Sequence, residues 1–132
     1  MLNDQGFLAS YFAKMTTRLS VAYEVCVKML REMKIPFIPA YVSSVVFLAS
    51  MSITANLASN CGPFIWIDLR SFLAEQTTEA ERQLAWKMVN GGVWLATGEA
   101  FTSEEPGWFR ITFAVPEEEL KFGMARLNKV LS

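Results

Sequence analysis

The chain has 132 residues, room for one domain and one core, and its 52% hydrophobic content with four Trp, ten Phe and seven Met excludes disorder. Twelve basic and thirteen acidic residues, scattered along the sequence to a net charge of −1, exclude a nucleic-acid stripe and an acidic tail. The absence of any His removes most metal sites, the Ser–His and Cys–His nucleophile pairs and the commonest general base.

Cys26 and Cys61 have neither metal-site nor disulfide-framework spacing. With no secretory-type leader, the expected location is intracellular, in the cytoplasm.

Asn3 or Asp4 offers an N-cap to a long amphipathic helix of roughly seven turns. Phe7, Leu8, Tyr11, Met15, Leu19, Ala22, Cys26, Met29, Leu30 and Met33 recur at three- and four-residue steps, with charged residues mostly between them. Pro36 and Pro39 are expected to end it, and Phe37-Ile38 between them reads as a short strand. From Gly62 the rhythm changes. Phe64-Ile65-Trp66-Ile67 reads as a buried strand closed by Asp68. Thr77 or Thr78 can cap a second helix, with Glu81 three residues after Thr78 as in a capping box. Its stripe is Ala80, Leu84, Ala85 and Met88, and Asn90-Gly91-Gly92 stops it. Val93 to Ala96 reads as a strand, Gly98 to Gly107 as a polar loop, and Trp108 to Val115 as an alternating strand that Pro116 ends. Glu117, Glu118 and Glu119 suit the positive end of a last helix, whose stripe is Leu120, Met124, Leu127 and Leu131. The expected fold class is therefore α/β, in the sense of an α+β layer with helices packed on a small sheet.

Tyr41 to Ser59 fits none of this. It is nearly uncharged, rich in Ser, Ala and Val, and lacks clean periodicity. As a membrane span it is short, interrupted by hydroxyl residues and without flanking Lys or Arg, so no membrane partner is expected. An extra buried helix or an irregular loop is a second reading, although structureless loops of this length are uncommon in compact domains. A third is an intron translated in frame. Ala40-Tyr41-Val42 can be encoded with a GTATGT donor, Thr54-Ala55-Asn56 with a GCTAAC branch sequence, and Ala58-Ser59 with an AG acceptor. The expected organisation is one domain over 1–132 with an aberrant insertion at 41–59.

The run with chemical content is Gly98 to Ala114, where a Gly-bounded loop feeds a strand bearing one Arg, Arg110, among aromatic and aliphatic neighbours. A buried guanidinium requires a partner. Its planar fork suits a carboxylate held by two parallel hydrogen bonds. An internal Asp or Glu would serve as well as a ligand, and composition alone does not choose between them.

The pattern Gly98-x-x-Phe101-x-x-x-Glu105-Pro106-Gly107-Trp108-Phe109-Arg110-x-x-Phe113-Ala114 resembles the C-terminal signature of class I/II pyridoxal-phosphate-dependent aminotransferases, in their aminocyclopropane-carboxylate-synthase-like branch. Gly62-Pro63-Phe64-Ile65-Trp66-Ile67-Asp68-Leu69-Arg70 resembles a strand of the same domain, and residues 1–40 resemble the helix linking its large and small domains. The resemblance implies the C-terminal small domain of a fold type I enzyme. In that family the Arg in this position grips the α-carboxylate of an amino-acid substrate, a role carried here to Arg110 alone. Asp68 and Arg70 are expected to be structural, with Trp108 and Phe109 packing the Arg-bearing strand. The cofactor implied is pyridoxal 5'-phosphate, with its Schiff-base lysine in a large domain or second subunit, since the family is usually homodimeric. Neither cofactor binding nor catalysis is expected of this chain alone. The intron-like codons and the branch suggest a fungal source and a secondary-metabolite role. The alternative is a non-catalytic carboxylate-binding or regulatory domain. No nucleic-acid partner is expected.

Overall fold

The computed structural model describes residues 4–38 and 64–132. Helix α1 spans Gln5–Glu32, with Asp4 as its N-cap, Oδ1 accepting from the Phe7 N–H at 3.0 Å. At 28 residues it is ~42 Å long by the rise per residue. Its C-terminal half buries Cys26, Val27 and Leu30, whereas Phe7, Tyr11, Phe12 and Met15 on the first half are exposed.

The helix stops before either proline acts. Lys34 adopts a left-handed φ of 57°, the Ile35 N–H bonds back to the Leu30 carbonyl, and the Lys34 N–H to that of Arg31. This is a Schellman cap, normally built on Gly, with Ile35 and Leu30 as its buried apolar pair. Of the two prolines, Pro39 lies outside the described residues.

Among the described residues four short strands form one antiparallel sheet in the order β1-β2-β4-β3: β1 Phe37–Ile38, β2 Phe64–Asp68, β3 Ala96–Thr97 and β4 Trp108–Thr112. Helix α2 covers Thr78–Asn90 between β2 and β3, and α3 covers Glu117–Leu131 after β4. Alternation along β2 and β4 sends Ile65, Ile67, Phe109 and Ile111 into the core. There they meet Leu30 of α1, Leu84 and Met88 of α2, and Leu120, Met124 and Leu127 of α3. The fold is thus the expected layer of helices on a small sheet.

Two boundaries differ from the sequence reading, and one open choice between caps is decided. Thr77 is the cap of α2, accepting from the Ala80 N–H, so Glu81 is released from the expected capping box. Pairing in β3 starts only at Ala96, because the Val93 N–H is committed to the Met88 carbonyl in a second Schellman cap with Gly92 at φ +82°. Strand β4 ends at Thr112 rather than Val115: the Val115 N–H turns back to the Phe113 carbonyl, which closes the strand. Phe113 is still fully buried, edge-on to Tyr23 of α1 at 5.6 Å. The proposed insertion at 41–59 lies outside the described residues.

Candidate carboxylate-binding site

Arg110 stands in the middle of β4, opposite Trp66 of β2 on one side and Ala96 of β3 on the other. Its neighbours Phe109 and Ile111 point into the core, so strand alternation turns Arg110 to the opposite face. Two rings flank it: the guanidinium carbon lies 4.1 Å from the Phe64 ring centroid and 3.9 Å from that of Phe101. Contact with a ring face fixes the guanidinium plane while consuming none of its five N–H donors. Phe101 is itself supported edge-on by Trp66 at 5.5 Å.

The Nε of Arg110 is buried and has no hydrogen-bond partner among the described residues. No ion pair to Arg110 is found among them either. The contrast with its neighbours is sharp. Arg70 donates Nε and Nη2 to the two oxygens of Asp68 at 2.9 and 2.7 Å and Nη1 to Glu105 at 2.6 Å, and it lies over the Trp108 ring. That contact depresses the Asp68 carboxyl below its ordinary value, chiefly through the Arg70 side-chain hydrogen bonds. Arg82 binds both oxygens of Glu99, whose carboxyl is likewise lowered by that pairing. Arg126 donates to the Gly92 carbonyl and covers Phe122. Asp68 and Arg70 thus form a strand-end clasp, as does the Trp108 that Arg70 covers.

The loop before β4 shapes the approach to Arg110. Its Glu99–Phe101 stretch is a single 3-10 turn, and Gly98 donates its N–H to the Trp108 carbonyl at 2.7 Å. A Cβ at Gly98 would sit 2.9 Å from that carbonyl oxygen, so only Gly allows the approach. Gly107, at φ +102°, lies where a Cβ would come 2.6 Å from the Arg70 side chain. A cleft of about 370 Å³ opens beside Arg110, walled by Trp86, Val89, Trp94 and Phe101.

Three participants went unread in the sequence: the two flanking rings and Glu81. Phe64 and Phe101 are far apart in sequence and meet over Arg110 only through the β2–β4 register. Glu81 left a signal, since it shares the helical stripe with Leu84, Ala85 and Met88, where a charge must be satisfied if buried. It is 1% exposed.

The described residues do not fit a lysine-linked pyridoxal phosphate. All six lysines, Lys14, Lys28, Lys34, Lys87, Lys121 and Lys129, have exposed side chains, and none lines the Arg110 cleft. A Schiff-base lysine is activated by desolvation or a neighbouring cation, and these positions offer no desolvation.

Sheet, helices and the Arg-bearing strand together define a domain of the fold type I pyridoxal-phosphate enzymes. The aromatic aminotransferase from Pyrococcus horikoshii superposes with a TM-score of 0.71 at 19% identity, over 98% of this chain and 28% of that one. The pyridoxal-phosphate-bound C-S lyase from Staphylococcus hominis, captured with L-cycloserine, superposes at 0.65 and 19%, over 92% and 25%. At these identities the likeness speaks for the fold. The family model for aminotransferase class I and II matches residues 1–127, and the chain belongs to that family. It is 31% identical over 132 residues to the 1-aminocyclopropane-1-carboxylate synthase-like protein 1 of Mus musculus, covering 99% of this chain and 22% of the relative. With 1-aminocyclopropane-1-carboxylate synthase 4 of Solanum lycopersicum it shares 32% over 131 residues, covering 97% and 23%. The chain therefore spans under a quarter of the length of these relatives. Among the described residues no helix is long and apolar enough to cross a membrane.

Proposed function

We propose that this chain is the C-terminal small domain of an aminotransferase of the aminocyclopropane-carboxylate-synthase-like branch, and that Arg110 binds the α-carboxylate of its amino-acid substrate. One observation carries the assignment: Arg110 is the arginine of the sheet whose guanidinium is held by rings while its buried Nε has no partner among the described residues. An orphaned buried donor costs about 1–3 kcal/mol. A ligand carboxylate removes that cost and uses the fork that the rings have oriented.

In this reading the cofactor-holding lysine belongs to a large domain, joined to this one or supplied by a second subunit, and the chain alone is inactive. The reading carries a cytoplasmic location and, through the intron-like codons, a fungal source with a secondary-metabolite role. Residues 41–59 are the aberrant insertion. The pairing of β1 with β2 supports this, because Ile38 stands opposite Trp66 in an antiparallel pair. Excision would leave residues 39–40 and 60–63 to connect Ile38 to Phe64, a connection of ordinary length for adjacent antiparallel strands.

The exposure of every lysine favours a second reading, a non-catalytic carboxylate-binding domain. One experiment separates the two. The chain is combined with a family large domain, by fusion or in trans, and turnover of amino acids is compared with turnover of amines lacking the α-carboxylate. Turnover that depends on Arg110 only for the amino acid supports the enzyme reading. Carboxylate binding without turnover supports the second.

A further inference from the structure

Glu81 sits on the face of α2 that also buries Leu84 and Met88. A carboxylate so placed is tolerated only when its oxygens are satisfied, and both are. Oε1 accepts from the Glu99 backbone N–H at 3.0 Å, and Oε2 from the Gly107 N–H at 2.6 Å. These amides stand at opposite ends of the loop between β3 and β4. Glu99 opens the 3-10 turn that ends in Phe101, whose ring lies against the Arg110 guanidinium. Gly107 directly precedes β4, and its carbonyl accepts from the Leu69 N–H at 2.8 Å, just beyond the end of β2. One carboxylate therefore ties the turn that carries Phe101 to the strand that carries Arg110. The next residue, Arg82, grips the Glu99 side chain as well, but that pair is exposed and screened by solvent, whereas the Glu81 side chain is buried.

We infer that Glu81 is a positioning residue for the Arg110 site, acting through the loop to hold the Phe101 ring over the guanidinium. The inference rests on the reading of Arg110 as the carboxylate-binding residue. Without the clamp, the turn is left to the Gly98 N–H bond to the Trp108 carbonyl, the exposed Arg82–Glu99 pair and the Trp66 edge contact, and the Phe101 ring is held less firmly over the guanidinium. Charge and shape both matter, because each oxygen faces an N–H. Glu81→Gln keeps the volume but turns an NH₂ group toward one of those amides.

The test is nuclear magnetic resonance on the 132-residue chain without ligand. In wild type the two rings are expected to shift the Arg110 δ-methylene upfield, and burial to slow exchange of the Nε–H. Phe101→Leu provides the reference spectrum for loss of one ring. Glu81→Gln is expected to move the Arg110 δ-methylene toward that reference. It should also speed exchange of the Nε–H roughly ten- to a hundredfold, the effect of losing one hydrogen bond to a charged group. Amides of Leu30 and Leu127 in the core should keep their protection. Arg110 signals left at their wild-type positions, with only the Glu99 and Gly107 amides moved, would make Glu81 a loop fastener and overturn the inference. If Glu81→Gln does not fold, the wild-type chain decides through native-state exchange at low denaturant. Exchange of the Arg110 Nε–H through the same opening as the Glu99 and Gly107 amides supports the clamp, and a separate, easier opening refutes it. None of these readouts involves substrate, so a failure of carboxylate binding at Arg110 would be seen independently of them.

Discussion

The Phe101 ring centroid lies 3.9 Å from the guanidinium carbon of Arg110, although Phe101 belongs to a turn and Arg110 to an inner strand of the sheet. The contact spans the loop that Gly98 and Gly107 bend, and it fixes the orientation of a cation without engaging its donors. In the proposed carboxylate-binding role, that orientation matters as much as charge.

The first prediction follows directly. With a large domain supplied, Arg110→Ala should lower kcat/KM for an amino acid by roughly one and a half to three and a half orders of magnitude, from the about 2–5 kcal/mol cost of truncating a buried charge pair. Arg110→Lys keeps the charge but loses the fork, and should fall between Ala and wild type. Phe101→Leu should cost roughly three- to thirtyfold, the range of one cation–π contact. Steady-state kinetics with an amine lacking the carboxylate is the control. Equal losses on both substrates would make Arg110 structural.

The Asp68–Arg70 clasp predicts a pH signature. The folded-state pKa of Asp68 is depressed by its hydrogen bonds to Arg70, so its stabilisation is present above the unfolded value of about 3.9 and is lost as pH falls through the lower folded value. Asp68→Asn should therefore be less stable than wild type at neutral pH. The gap should close as the pH drops below about 4. Chemical denaturation across pH 2–7 measures it, and a gap independent of pH would remove the ionic origin.

Lys34 occupies a left-handed position that normally takes Gly. Lys34→Gly should stabilise the chain by about 0.5–1 kcal/mol, the strain relieved less the entropy of the added glycine. The denaturation midpoint should rise with an unchanged m-value.

Deletion of residues 41–59 should preserve or improve solubility and thermal stability if the segment is translated intron with no evolved partners. A loss of several kcal/mol, of the size seen when true core is removed, would show instead that the segment belongs to the fold.

Pyridoxal phosphate added to the isolated chain should produce no stoichiometric visible absorbance band, because all six lysines are exposed. A band abolished by changing a single lysine would place a cofactor site in this chain.

Sequence by itself determined the helices, the strand order along the chain and the family signature, through whose resemblance Arg110 is nominated. Each of these is written locally: a 3.6-residue stripe in α1, alternation from Trp108 onward, and a contiguous Glu-Pro-Gly-Trp-Phe-Arg run. Element ends were less legible. Thr77 and Thr78 are chemically equivalent caps, and the Val93 N–H could serve either a strand or the helix behind it. Only the positions of their hydrogen-bond partners chose between them. The tertiary structure also decided what surrounds Arg110. Phe64 precedes it by 46 positions and Glu81 precedes Gly107 by 26, separations with no local periodicity to announce a contact. Those contacts exist because β2 and β4 pair in one register and α2 brings Glu81 to the loop between β3 and β4. Pairing register and helix placement are set by burial of the whole core, a property that no short stretch of sequence contains.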